Sequence, residues 1–302
     1  MRVAVTGANG LVGAEAVAQL AGRHEVLALG RGASRLPAGL AGVRYLAADL
    51  GDGIALERAL LDFRAEAVLH AGADTDVDGC QREPGRAWRV NVGGTEQAAR
   101  ACRALRARLV ALSTDYVFDG AAGPYREEDL PNPLSAYART KRCGEEAALL
   151  LAPDRAVARV AVVYSGRPGA RPTFPSQVVE QLTRGEPVRA FSDQQISTTL
   201  AANAAEMVLE LLLESGYQGV LHTAGEGVLD RLAFARRLAA RFGLRGEIVP
   251  VRTADAGLGA PRPLKAGLRV ERAAALLRHR PLTIDQALDR FHAEWQARLV
   301  PS

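Results

Sequence analysis

The sequence predicts an α/β fold: a Rossmann-type doubly wound parallel sheet with a smaller carboxyl-terminal α/β substrate lobe. Three observations carry this. Short apolar strands alternate with helical stretches through the first half, a glycine-rich turn at residues 7–13 joins the first strand to the first helix, and the alternation stops at a loop rich in Gly, Pro and Arg after Tyr164. The 302 residues suit two domains at roughly 150 each. We expect residues 1–164 to form the sheet domain and 165–302 mainly the second lobe, with later segments such as 193–215 returning to the first.

Taken in order, residues 2–6 read as a strand, the glycine turn follows, and an amphipathic helix runs to about Ala21. Further strands are expected at 25–29, 43–46, 65–70, 109–112 and 156–163. Their near-continuous apolar character suits strands covered on both faces by helices. Beyond residue 165, helices are expected at about 174–184, 201–214, 232–242 and 284–299, with short strands near Val220 and Ile248.

Composition removes several function classes. Apolar residues make up 48% and charged residues 24%, which is ordinary for a globular chain and excludes disorder, collagen and coiled coil. The 38 basic and 34 acidic side chains leave a net charge of +4 with no basic run, so no nucleic-acid partner is expected. No apolar run reaches the ~18 residues of a membrane span, and residues 1–6 are too short for a signal sequence, so neither membrane nor export is expected. Cys80, Cys102 and Cys143 are odd in number and lack CxxC spacing, which suits a reducing cytoplasm and gives no zinc site. His24, His70, His222, His279 and His292 never pair at i,i+4, so no metal is expected, and no GxSxG elbow points to a hydrolase.

Lys141 and Lys265 are the only lysines, and Asn9, Asn91, Asn132 and Asn203 the only asparagines. A compositional bias that replaces Lys with Arg and drops Asn makes each survivor a position worth inspecting.

Gly7, Gly10 and Gly13 stand directly after the first strand. There they allow a tight turn and close backbone approach to a pyrophosphate, with Asn9, Leu11 and Val12 in the same segment. Alone, the pattern would often be an ordinary turn. After the second strand come Gly30, Arg31, Gly32, Ala33, Ser34 and Arg35, with no acid to hold a ribose hydroxyl pair. Arg31 and Arg35 suit a 2′-phosphate, so NADP is preferred and NAD is the alternative. Asp49-Leu50 after the third strand reads either as a contact to the adenine edge or as a helix N-cap. Tyr137 and Lys141 lie four residues apart on one face of a helix that starts after Pro133. A cation there would lower the phenol's pKa toward working pH. Surface pairs of this spacing are common, yet Arg139 and Arg142 flank a position that stayed Lys. Thr114, at the carboxyl end of the 109–112 strand, completes a trio of hydroxyl, phenol and ammonium.

Several motifs occur in one order along the chain: the glycine turn; His70-Ala71-Gly72-Ala73; Val90-Asn91; Ser113-Thr114-Asp115-Tyr116-Val117-Phe118-Asp119-Gly120; Gly123-Pro124-Tyr125; Asn132-Pro133-Leu134; the YxxxK of Tyr137 and Lys141; Asp193-Gln194; and Pro261-Arg262-Pro263-Leu264. In these the chain resembles the extended short-chain dehydrogenase/reductase family, and within it the dTDP-4-dehydrorhamnose reductase group, over nearly its whole length. The resemblance implies NADPH-dependent reduction of a 4-keto sugar nucleotide, with Thr114, Tyr137 and Lys141 as the catalytic trio. It implies cofactor contacts from the glycine turn, Ala71, Gly72, Ala73 and Asn91, substrate contacts from Asp115 and Tyr116, and often a homodimer. Arg262, stiffened by two prolines, is the candidate for the substrate's pyrophosphate.

Departures accompany the likeness. Val162 stands where the family often has Trp, Thr198-Thr199 replaces Pro-Thr, and Asp74 replaces Tyr or His. Glu15 resembles an acid at a magnesium-linked dimer contact, although an ordinary helix-surface Glu is the simpler reading. Rival readings are an epimerase, which keeps the trio, and a non-catalytic nucleotide-binding subunit like methionine adenosyltransferase β. A 4,6-dehydratase ranks low because Tyr116 stands where an acid would be needed.

Overall fold

In the computed structural model, which describes residues 1–299, the apolar runs of the first half become parallel strands. These are β1 (Arg2–Thr6), β2 (Glu25–Gly30), β3 (Val43–Ala47), β4 (Ala67–His70), β5 (Arg108–Thr114) and β6 (Asp154–Val160). The order across the sheet is β3-β2-β1-β4-β5-β6, with the strand Gly219–His222 outside β6, and every neighbouring pair is parallel. The chain winds outward from β1 in one direction and from β4 in the other. A crevice therefore opens between the registered ends Thr6 and His70, where ligands of such sheets bind.

Helices cover both faces. On one lie α1 (Leu11–Leu20) and, much later in the chain, α8 (Ala201–Leu213), which meet through Val12, Ala16 and Leu20 against Ala204, Val208 and Leu211. On the other lie α2 (Gly53–Phe63), α5 (Gly94–Leu105) and α6 (Ala136–Leu151), packed through Leu56, Leu60, Ala98, Cys102 and Ala148. Two short helices, α3 (Val77–Arg82) and α4 (Pro84–Trp88), precede α5. Val3, Ala4, Val5, Val68 and Leu69 are wholly buried, so the strands carry apolar residues on both faces and show no alternation.

A separate core gathers α7 (Phe174–Thr183), α9 (Arg231–Arg241) and α10 (Ile284–Leu299) around Val178, Leu182, Phe234, Leu238 and Phe291, beside the parallel strands Val188–Phe191 and Ile248–Val251. Phe118 stacks on Tyr125 with centroids 4.2 Å apart, in a smaller cluster with Ala161, Leu268 and Val270 that ties the segment after β5 to the later chain.

Some local expectations change. The first helix begins at Leu11 because Gly10 is its N-cap. The expected strand 156–163 breaks after Val160, and Val163–Tyr164 pairs instead with Thr199–Leu200. The break is at Val162, whose φ of +38° is unfavourable for a β-branched residue. Thr199 secures it: its hydroxyl donates to Ala161 O at 2.6 Å and its N–H to Val162 O at 3.2 Å. The short strand near Val220 joins the main sheet as an edge, because Gly219–His222 pairs with β6.

Candidate active site

The turn between β1 and α1 closes on glycines. Gly7 has a φ of +68°, and a Cβ there would stand 2.6 Å from Gly72 Cα. One on Gly13 would stand 2.3 Å from Gly7 O. Thr6 holds the opposite wall: its hydroxyl accepts the Gly72 N–H at 3.2 Å and lies 3.0 Å from His70 Nδ1. Gly10 caps α1 without a side-chain bond, which leaves the first helical N–H groups facing the carboxyl edge of the sheet. This compact turn, closed on glycines, fits the pyrophosphate of a dinucleotide. Ala71, Gly72 and Ala73 continue from β4 across the crevice, and Leu50 packs on Gly72, where a Cβ would come within 2.3 Å of its Cδ1.

Asn9 shapes the neighbouring loop. Its Nδ2 donates to Arg31 O at 3.1 Å and Ala33 O at 2.9 Å, and its Oδ1 accepts the Arg35 N–H at 2.9 Å. Arg31 and Arg35 are thereby held exposed beyond β2. Asp49 is exposed and closes its own turn by accepting the Gly51 N–H at 2.8 Å; the N-cap of α2 is Asp52 instead.

The trio gathers beyond β5. Thr114 ends that strand, and α6, started by the Ser135 cap, presents Tyr137 and Lys141 one turn apart, both buried. The Tyr137 ring meets that of Tyr116 edge to face at 6.0 Å. Burial raises the phenol's pKa well above its ordinary value, the Thr114 hydroxyl opposes this, and Asp115, Tyr116 and Cys80 add to it. The expected lowering by Lys141 is therefore corrected. Its ammonium donates to Leu112 O at 2.7 Å, and burial brings its own pKa down to about 8. Tyr137 keeps its proton, so it can serve as a donor.

Asn91, in a π-turn spanning Arg89–Gly93, positions this helix. Its Oδ1 accepts the Asp74 N–H at 2.8 Å, while Nδ2 donates to Asp74 O at 3.2 Å and to Thr140 Oγ1 at 3.0 Å. Its amide is thus bonded within the protein. Beneath α6, Glu145 grips Arg159 bidentately at 2.7 and 2.8 Å, and the guanidinium lies 5.0 Å from the Phe118 ring centroid.

The second half supplies two arginines. Arg262, expected at a pyrophosphate, is held by the protein on one side: Nη2 donates to Asp78 Oδ2 and Nη1 to Ala260 O, each at 2.9 Å. Arg231, which the sequence reading missed, reaches the site from the start of α9. It donates to Gln194 Oε1 at 3.0 Å, lies 5.5 Å from the Phe174 ring centroid, and its charge opposes the rise that burial imposes on the Tyr116 pKa. Only the folded chain brings it there; in a sequence with so many arginines, local context gives no signal for it.

Residues 1–297 match the family model described as the RmlD substrate binding domain. The chain belongs to that family. It is 37% identical over 270 residues to a dTDP-4-dehydrorhamnose reductase of Mycobacterium tuberculosis, covering 86% of this chain and 82% of that protein. It is also 29% identical to the bovine (Bos taurus) methionine adenosyltransferase 2 subunit beta, over 91% of this chain and 82% of the other. A hypothetical dTDP-4-dehydrorhamnose reductase from Sulfolobus tokodaii superposes with a TM-score of 0.83 at 33% identity, covering 95% of this chain and 99% of that one. MoeE5 in complex with UDP-glucuronic acid and NAD superposes with a TM-score of 0.80 at 26% identity, covering 99% and 100%.

Within this RmlD family chain, the departures have structural partners. Asp74 pairs with Arg86 at 3.0 Å. Glu15 is neither an exposed helix residue nor free: it is buried, pairs with Arg167 at 3.1 Å, and has its pKa raised by burial against the pull of that arginine. Among the described residues no cluster of three His, Cys, Asp or Glu side chains suits a metal ion, and no helix is long and apolar enough to cross a membrane.

Proposed function

We propose that the chain is an NADPH-dependent reductase of a 4-keto sugar nucleotide. The observation that carries this reading is the convergence of Thr114, Tyr137 and Lys141 at the carboxyl end of β5, beside the glycine turn at the sheet's switch point. The turn would hold the pyrophosphate, and Arg31 and Arg35 the 2′-phosphate, of a dinucleotide. A reduced nicotinamide, when bound, supplies hydride to the keto carbon. Tyr137 gives its phenolic proton to the keto oxygen, and Thr114 orients that oxygen by a hydrogen bond. Lys141 holds the ribose side of the crevice, its ammonium anchored on Leu112 O. The nucleotide end of the substrate extends toward the lobe after residue 165, past Tyr116 and Arg231.

The likeness to the methionine adenosyltransferase subunit favours a second reading, a nucleotide-binding subunit without turnover. One assay separates the two: NADPH oxidation by the purified protein against a panel of 4-keto sugar nucleotides. The proposal expects saturable oxidation with at least one of them. Cofactor binding without oxidation across the panel would favour the second reading.

A further inference from the structure

Arg231 opens α9, and its half-buried side chain is held on two sides. Its Nε donates to Gln194 Oε1 at 3.0 Å, Gln194 being itself only 3% exposed, and its guanidinium lies over the Phe174 ring. Both holders are tied to walls of the crevice. Asp230 pairs with Gln195, which donates its N–H to Leu264 O and accepts the Ala266 N–H, while the Lys265 N–H donates to Gly120 O, on the segment that leaves β5. Phe174 follows a loop in which Arg171 Nη1 donates to Thr75 Oγ1 at 3.4 Å, on the segment that leaves β4 through Ala71–Ala73. Arg231 therefore stands where the second lobe closes over the carboxyl ends of β4 and β5, and its charge bears on Asp115 and Tyr116.

What faces Arg231 sets it apart from the arginines around it. Arg262 ends on Asp78 at 2.9 Å and Arg86 on Asp74 at 3.0 Å, whereas among the described residues no carboxylate forms an ion pair with Arg231. Asp230, beside it in sequence, accepts the Ala233 N–H at 2.7 Å, and Asp115 accepts the Thr114 hydroxyl. A half-buried guanidinium without a counter-charge is costly to the free protein, and an oxyanion brought by a ligand removes that cost. The ring fixes the guanidinium plane and the Gln194 bond takes Nε, which leaves the Nη edge for a pair of oxygens.

We propose that Arg231 is the specificity-determining residue for the substrate's diphosphate, which it grips through the Nη edge. The inference rests on the substrate being a sugar nucleotide. In such a substrate the charge lies on the diphosphate, between the keto sugar at Tyr137 and the nucleoside in the second lobe. Arg231 is the cation without a counter-ion on that route, and the first turn of α9 adds its partial positive charge.

Calorimetric titration of the NADPH-bound protein tests this, with dTDP and UDP as probes and thymidine and uridine as their uncharged counterparts. Arg231→Ala should weaken the nucleoside diphosphate about tenfold or more while the nucleoside and NADPH bind as before. Arg231→Lys should recover only part, because an ammonium does not span two oxygens. With a sugar nucleotide that is turned over, R231A should raise KM and leave kcat nearly intact. An R231A that binds the diphosphate like wild type, or that loses diphosphate and nucleoside alike, would overturn the proposal. So would a loss with UDP-glucuronic acid far exceeding that with UDP-glucose, which would move the contact to the sugar. If R231A does not fold, R231K against wild type decides alone. A wild-type protein that binds neither dTDP nor UDP would instead remove the sugar-nucleotide reading, whereas diphosphate binding that R231A leaves unchanged removes only the role of Arg231.

Discussion

Arg262 reaches Asp78 across 184 residues of sequence: Nη2 lies 2.9 Å from Asp78 Oδ2, while Asp78 Oδ1 accepts the Ala260 N–H at 2.9 Å. One carboxylate thus pins the proline-flanked loop of the second half onto α3, whose Cys80 packs in one cluster with Tyr137. Burial works to raise the Asp78 pKa, but the hydrogen bond and charge of Arg262 win and hold it below the ordinary carboxylate value.

Arg262→Ala and Asp78→Ala should each lower the melting temperature, and the double variant should fall short of their sum by about 1 kcal/mol. Because the folded pKa is depressed, this stabilisation is present above the unfolded carboxylate pKa and fades as pH drops through the folded value. In dTDP titrations of the NADPH-bound protein, the two single variants should weaken binding alike. A defect far larger in R262A than in D78A would return Arg262 to the pyrophosphate.

Tyr137→Phe should lower turnover by at least about 100-fold while cofactor affinity stays unchanged, since only the phenolic proton is removed. Lys141→Arg should be severely impaired as well, because a buried site ending on one carbonyl suits an ammonium and not a planar fork. Fluorescence titration with NADPH beside initial rates checks both, and near-normal rates in either variant would remove that residue from the mechanism.

The exposed Arg31 and Arg35 should favour NADPH over NADH. Charge-assisted bonds to a 2′-phosphate contribute roughly 1.5–3 kcal/mol, so Arg31→Ala should flatten the preference by about tenfold or more. Equal dissociation constants for the two cofactors in the unaltered protein would contradict the assignment.

The Glu145–Arg159 pair is almost wholly buried, with side chains 1% and 2% exposed. Glu145 also pairs with Arg142 at 3.0 Å, so it is Glu145→Ala that strands a charge, on Arg159, and should destabilise the fold by about 3–5 kcal/mol, whereas replacing both with apolar residues should cost far less. Urea unfolding of the single and double variants measures the difference, and equal losses would show that packing, not charge, dominates there.

What was legible in the sequence is what local physics dictates. Gly7, Gly10 and Gly13 are readable because no side chain fits that turn, and Tyr137 and Lys141 because four residues make one helical turn. The scarce asparagines repaid inspection in an unexpected way. Asn9, Asn91, Asn132 and Asn203 each hydrogen-bond a segment distant in sequence, with Asn132 donating to Asp119 and Asn203 to Arg280 O. Asn9 and Asn91 therefore brace the site's framework. Pairs such as Asp78 with Arg262 and Glu145 with Arg159 were invisible, because nothing in the local pattern of an arginine says which distant carboxylate it meets. The break at Val162 was equally hidden, since an apolar β-branched run reads as uninterrupted strand.

The most direct test follows the hydride. The protein is supplied with NADPH deuterated at the transferred position and a 4-keto sugar nucleotide, and the product is analysed by mass spectrometry and NMR. Reduction predicts a 4-hydroxy sugar nucleotide carrying a single deuterium at C4, formed in step with NADPH consumption. A product without deuterium and without net NADPH loss, as an epimerase would give, or no product at all from a protein that still binds the cofactor, would contradict the account.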